Sequence, residues 1–225
     1  MATFEEFSKT VRLMYSFRFS GEPPIERITP DGKKVMINES KSKMLSLLAP
    51  PIFDKVELKA STTHGRGVFA KQDIKEGEII TLYPPDIIVQ YPLGRSNTKS
   101  MVTTRVSNRM PESMDTEEKA VKEYLEQWQY KFEIDKNYSI VGHPDHTDNP
   151  TYLGHMINDR FSCDFDKITP DKYLRLSLAK ANAQFQSIDG VCIVAVATKD
   201  IPCGEEVYVS YGPSFWETYH QKMSA

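Results

Sequence analysis

The sequence predicts a mainly β protein with helical insertions, and three observations carry that prediction. From Val56 onward the chain breaks into short apolar runs bounded by turn residues, "VELKA", "GVFA", "EIITLY" and "DIIVQY" first, then "NYSIVG", "ANAQFQSI", "VCIVAVATK" and "EEVYVSY", which is the pattern of strands. Two stretches between those runs carry a helical period instead. With 225 residues and 40% hydrophobic content, the chain can bury a core as one large domain, or as one domain with an appended segment, without a disulfide or metal staple.

Taken in order, Phe4, Phe7, Val11 and Met14 recur near helical spacing, and Thr3 with Glu6 makes a capping-box pattern, so an amphipathic helix is expected from Thr3 to about Tyr15. "SGEPPIERITPDGKKV" reads as loop, and the apolar run "KMLSLLA" is stopped by Pro50 and Pro51. Residues 1–55 are therefore read as an N-terminal helical appendage or lid. The β-rich domain is expected over 56–216. One inserted helix is expected near 115–132, where Asp115 and Glu118 can cap and Val121, Leu125, Trp128 and Phe132 fall on one face. A second is expected over 170–180, opened by Thr169-Pro170. Residues 217–225 are read as a C-terminal tail.

Composition excludes several function classes. Against 28 Lys and Arg stand 31 Asp and Glu, a net charge of -3, so no overall basic field invites nucleic acid, and direct binding to it is not indicated. The local cluster "DGKKVMINESKSK" reads as a solvated loop. Cys163, Cys192 and Cys203 are odd in number and widely spaced, which suits neither a disulfide framework nor a four-ligand zinc site, and reduced thiols fit an intracellular protein, nuclear or cytoplasmic. The first twenty residues hold two glutamates and no long apolar run, so neither a signal peptide nor a membrane span is expected. No GxSxG elbow marks a nucleophile, and the glycines of "HGRGVFA" belong to neither GxGxxG nor GxxxxGK; alone they make a tight turn before a strand.

One stretch asks for an explanation. "YLGHMIND" sets His155, Asn158 and Asp159 among apolar neighbours, and a buried polar group without a partner costs about 1–3 kcal/mol. A metal site, a catalytic dyad, or a backbone and ligand clamp would each satisfy them. Were "GHMIND" helical, His155 and Asp159 would share a face, with His143 and His146 of "HPDH" as further imidazoles. The proline of "HPDH" and its polar surroundings argue against that arrangement, and no metal is expected.

The order of motifs decides between these readings. "THGRGVFAKQDIKEGEIITLY", "YLGHMIND", "ANAQF" and "VCIVAVATKDIPCGEEVYVSYG" follow one another along the chain, and together they resemble a SET-domain lysine methyltransferase. The resemblance runs from about Val56 to Trp216 and implies a β-clip, pseudoknotted SET fold. It implies an S-adenosyl-L-methionine-dependent protein-lysine N-methyltransferase, whose partner is a protein with an exposed lysine, a histone being one such. It places the cofactor against the turn of His64, Gly65, Arg66 and Gly67, against His155, Met156 and Asn158, with Asn158 holding the amino-acid end, and against Trp216. Tyr211 would orient nitrogen and methyl, and Tyr83 would shape the lysine channel, lined further by Phe185, Val209 and Phe215.

Two departures from the family pattern stand out. Asp159 occupies the place where the family usually has histidine and is counted with the cofactor-binding residues, its backbone expected to meet the adenine, and restoring that histidine is expected to keep or tighten cofactor binding. Asn182, preceded by Ala181 in place of proline, follows a longer gap than usual, which implies an inserted helix that is either part of the site entrance or a surface decoration. A SET-fold binding module that has lost catalysis is the alternative function, with Asp159 as its main argument. Joint retention of Tyr83, Asn158 and Tyr211 favours the enzyme.

Overall fold

A computed structural model of the chain describes residues 4–18, 24–28, 34–37, 52–90, 102–105, 127–135, 138–161, 167–190 and 192–223. Within them the architecture is mainly β, as the strand-like runs predict. β3 (Val56–Ala60) pairs with β4 (Arg66–Ala70), and β10 (Ala183–Ile188) pairs with β11 (Cys192–Ala197), which continues onto β5 (Ile79–Leu82). A further sheet runs in the order β7 (Val102–Arg105), β6 (Ile87–Gln90), β9 (Tyr138–Val141), β8 (Lys131–Asp135). Among the described residues these strand pairings are all antiparallel. The strands β5 and β11 are buried at every residue, so β11 reads as a continuous apolar run and β5 departs from one only at Thr81.

Among the described residues three α-helices accompany these sheets. α1 (Phe4–Arg18) matches the expected N-terminal helix, but it is no free appendage: Phe7 and Val11 are 3% and 0% exposed and join the core formed with Leu82, Ile188 and Val194. Phe7 meets Phe53 edge to face at 5.8 Å. α2 (Pro170–Lys180) starts where Thr169-Pro170 predicts, with Thr169 Oγ1 accepting from Lys172 N. α3 (Pro213–Met223) runs across the boundary expected at 216, so the segment read as a tail is helical as far as Met223.

Other expectations need correction. The stretch read as loop contains a hairpin, β1 (Ile25–Ile28) against β2 (Lys34–Ile37), tied by Lys34 to Glu26 at 2.9 Å; the missed signal is two short apolar-ended runs flanking Pro30-Asp31-Gly32. The helix expected near 115–132 does not reach its end: Trp128–Tyr130 is one 3-10 turn and Phe132 lies in β8. Its earlier positions, with "KMLSLLA", Thr3 and Cys163, lie outside the described residues. Phe132 was assigned by period alone, and a partner strand, β9, overrides that period. Among the described residues Cys192 is buried and Cys203 exposed, both as free thiols, and no helix is long and apolar enough to cross a membrane.

The run "EEVYVSY" is extended but belongs to no regular strand. Its backbone is bonded on one side to β4, by Ala70 N to Glu205 O at 2.9 Å and Val207 N to Val68 O at 2.7 Å. On the other side Val209 N donates to Asn158 O at 3.0 Å, and Asn182 N and Ala183 N both donate to Tyr208 O. The Asn182 side chain completes the clamp as a strand would, Oδ1 accepting from Tyr208 N at 2.7 Å and Nδ2 donating to Glu206 O at 2.8 Å. Asn182 is 5% exposed, so water cannot replace those bonds. Asn182→Ala is expected to strand two buried backbone groups and to cost about 2 kcal/mol. Thermal denaturation should then show a midpoint lower by about 4–8 °C.

Candidate active site

The site is built outward from one buried carboxylate. Glu206, 8% exposed, accepts at Oε2 from Ser61 Oγ at 2.9 Å and Tyr208 OH at 2.6 Å, and at Oε1 from Asn158 Nδ2 at 2.9 Å. Asn158 Nδ2 also donates to the carbonyls of His64 and Arg66, each at 3.1 Å. Asn158 thereby fastens the glycine turn to the Glu206 segment. Both glycines of that turn are required: Gly65 takes φ +49°, and a Cβ on Gly67 would lie 2.0 Å from Glu206 Oε1. The turn directs Arg66 outward, where Nη2 donates to Pro144 O at 2.9 Å.

The segment "GHMIND" is not helical. Gly154–Met156 forms one 3-10 turn and Ile157 is already extended, so His155 and Asp159 do not form an i, i+4 pair. His155 Nε2 bonds His143 O at 3.0 Å, which makes Nε2 the protonated nitrogen because a carbonyl only accepts. Asp159, 5% exposed, accepts from Phe161 N at 3.0 Å and Ser177 Oγ at 2.8 Å on one oxygen, and from Tyr211 N at 3.0 Å and Tyr173 OH on the other. Among the described residues no cluster of three or more His, Cys, Asp or Glu side chains could hold a metal.

These segments enclose a cavity of about 430 Å³. His64, Gly65, Arg66 and Gln129 give it a polar mouth, and His155, Met156, Asn158 and Asp159 form its back. The remaining wall is aromatic, from Tyr130, Tyr211, Phe215, Trp216 and Tyr219, with His220 at its edge. Tyr211 stacks on Trp216 at 6.0 Å and meets Phe215 edge to face at 4.6 Å. Tyr211 OH donates to Ile157 O at 2.8 Å, and burial raises its phenol above the ordinary tyrosine value of 10.0. Burial also pushes Tyr173 up to about 12, with the hydrogen bond to Asp159 adding to it.

The turn, the "GHMIND" segment, Tyr211, Phe215 and Trp216 thus meet at one cavity. Gly67, Tyr83, Phe185 and Val209 do not line it. Gly67 faces Glu206, and Val209 is buried in the core beside Val68 and Val207. Tyr83 lies behind His155, its hydroxyl donating to Tyr130 O at 2.7 Å. Its ring meets those of Phe132 at 5.3 Å and Phe185 at 5.6 Å. Burial raises the Tyr83 phenol strongly, and the neighbouring Tyr211 adds to it. Sequence reasoning missed Gln129 and Tyr130, placed in a helix, and Tyr219 and His220, placed in a tail. Phe215 and Tyr219 at i, i+4 after Pro213 were the available signal for the last two.

Comparison with known proteins follows the same residues. A family model described as SET domain matches residues 65–212. No curated protein matches the chain. Among solved structures, a crystal structure of a Plasmodium falciparum candidate histone methyltransferase is 18% identical, with 72% of this chain and 96% of that chain covered and a TM-score of 0.33, a likeness too distant to carry argument. The family match spans well over half of the 225 residues, from the Gly65 turn through "GHMIND" to Tyr211-Gly212, and on that ground the chain belongs to the SET-domain family, the lysine methyltransferase family whose motifs it resembles.

Proposed function

We propose that the chain is an S-adenosyl-L-methionine-dependent protein-lysine N-methyltransferase, acting on an exposed lysine of a histone or another protein. The observation that carries this reading is the convergence of "HGR", "GHMIND" and Tyr211 with Phe215 and Trp216 on one cavity of about 430 Å³, within the range of small-molecule sites. The donor set fits the cofactor. Arg66, His64 and Gln129 suit a charged amino-acid end, and Trp216 and Phe215 suit a flat purine. With Nδ2 held by three acceptors, the group that Asn158 can offer an ammonium is Oδ1.

When bound, the cofactor supplies a sulfonium methyl, so that a C–N bond forms as a C–S bond breaks and the electron pair stays on sulfur. The chain's own task is to hold a neutral lysine nitrogen in line. Tyr211 donates its proton to Ile157 O, so its oxygen meets the nitrogen as an acceptor. Because burial raises this phenol, it stays neutral at working pH and orients the amine without acting as a base. The lysine, with a reference pKa of about 10.4, loses its proton to water before transfer, favoured by a dry channel beside positive charge. Tyr83, Phe132 and Phe185, in mutual ring contact, are the aromatic face along which we route its aliphatic stem. The binding-module alternative loses its main argument, since Asp159 is fully supplied with donors.

Calorimetry with S-adenosylmethionine and its demethylated product should show binding, and folded protein that takes up neither at millimolar ligand would disprove the reading. Labelled-methyl transfer onto a panel of histones and cell extract identifies the substrate. Tyr211→Phe is expected to lower turnover by about 100-fold, roughly 3 kcal/mol in the barrier, with little change in cofactor affinity. Retained turnover would make the tyrosine structural.

The pH profile separates base from orienting group. A phenol raised above 10.0 does not titrate below that value, so the rate should climb with pH as the lysine deprotonates. The climb should sit at the same pH in Tyr211→Phe, at a lower level; a limb lost with the hydroxyl would make Tyr211 the base.

Phe185 concerns product. It brings no hydroxyl to hold a water or an already methylated nitrogen, so di- or trimethyl-lysine is expected, and Phe185→Tyr should shift the product toward monomethyl. Mass spectrometry under excess cofactor checks this, with monomethyl-lysine alone from the unaltered protein as the contrary result.

A further inference from the structure

We propose that Asp159 and the two buried hydroxyls of α2, Tyr173 and Ser177, form a positioning unit that holds the cofactor cavity in shape, making the inserted helix part of the site. The inference rests on the reading of that cavity as the cofactor site.

The buried face of α2 is unusual in its chemistry. Tyr173 and Ser177, one turn apart, are its buried side chains, each 1% exposed, while Leu178 is 59% exposed. A helix docked by the hydrophobic effect would present apolar groups at those positions. Here both buried residues send a hydroxyl to one carboxylate, Ser177 to Asp159 Oδ1 and Tyr173 to Oδ2. Hydrogen bonds are directional and apolar contacts are not, so this docking fixes the helix in one place.

The same carboxylate reaches the cavity on two other sides. Asp159 Oδ2 accepts from Tyr211 N, which sets the backbone carrying the proposed orienting hydroxyl. Tyr173 OH, while donating to Asp159, accepts from Trp216 Nε1 at 2.9 Å, which sets the ring on α3 that forms the aromatic wall. Asp159 itself belongs to the cavity's back. One buried acid therefore fixes its own segment, Tyr211 and, through Tyr173, Trp216.

Only an acceptor-only group with two oxygens suits this place. Four N–H or O–H groups point at Asp159, and an ionised carboxylate has lone pairs for all of them, whereas a neutral imidazole accepts at one nitrogen. The aspartate and the hydroxyls of α2 depend on each other, which reverses the expectation that histidine at 159 would keep or tighten binding. Asp159→His strands donors instead.

The test measures affinity for S-adenosylhomocysteine by calorimetry and thermal midpoint for Asp159→His, Asp159→Asn, Tyr173→Phe, Ser177→Ala and Leu174→Ala. Leu174 is half-buried on α2 outside the unit, so Leu174→Ala should lower the midpoint while affinity stays within about twofold. Asp159→His, Asp159→Asn and Tyr173→Phe should weaken binding by about tenfold, and Ser177→Ala by less, because each lost bond is modest in net worth. Emission of Trp216, isolated by Trp128→Phe, should shift in Tyr173→Phe before ligand is added. Unchanged affinity in Asp159→His and Tyr173→Phe, or losses that simply follow the thermal midpoint through Leu174→Ala, would overturn the unit. Failure of the unaltered protein to bind would defeat the cofactor reading instead, and an unmoved Trp216 emission would then still refute the coupling.

Discussion

Among the described residues the extended segment over 205–209 has no hairpin partner, and its buried backbone must nevertheless be satisfied. Three pieces of chain far apart in sequence supply what it lacks: β4, Asn158, and Asn182 with Ala183. Alternation then divides its side chains between two environments. Val207 and Val209 are 0% and 1% exposed and enter the core. Glu206 and Tyr208 face the other way, into the polar network of Ser61, Thr63, Asn158 and Arg160. Displacing this segment would release the glycine turn, the "GHMIND" loop and Tyr211 together.

Cavity shape follows from two contrasting kinds of support. On its polar side positions are set by hydrogen bonds to backbone, as with Asn158 to His64 and Arg66 and His155 to His143. The other wall is aromatic, and its Phe215 and Tyr219 are backed by Trp128 of the 3-10 turn, with Lys222 4.3 Å above the Trp128 ring. Rings covered by one another and by a cation need no metal to stay in place. Asp159 joins the two sides, since it bonds backbone directly and an indole through Tyr173.

Much of this was legible in sequence because it depends on local pattern. Runs such as "CIVAVA" and "YSIV" are strands by composition and length, and β11 and β9 follow them. Thr169-Pro170 marks a helix start through capping, which is local chemistry. What was not legible depends on partners distant in sequence. Phe132 fits a helical period as well as it fits β8, and only β9 decides. "EEVYVSY" reads as a strand because extended conformation is local, whereas its isolated bridges to Phe69 and Asn158 are not. At the site, ordered motifs located the cavity, while the four donors of Asp159 could not be read from the residue itself, because two of them arrive on a helix, 14 and 18 positions downstream.

The place of α1 bears on how such a chain reaches its final form. Phe7 and Val11 complete a core whose other members include Ile188, Ile193 and Val194, so the helix, synthesised well before β10 and β11, finds its seat only after those strands have emerged. Until then its apolar stripe has no native surface to cover. Contacts of such long range close slowly, because chain entropy must be lost before packing repays it. Early in biosynthesis the protein therefore carries an uncovered hydrophobic helix, a natural substrate for the chaperones that attend nascent chains.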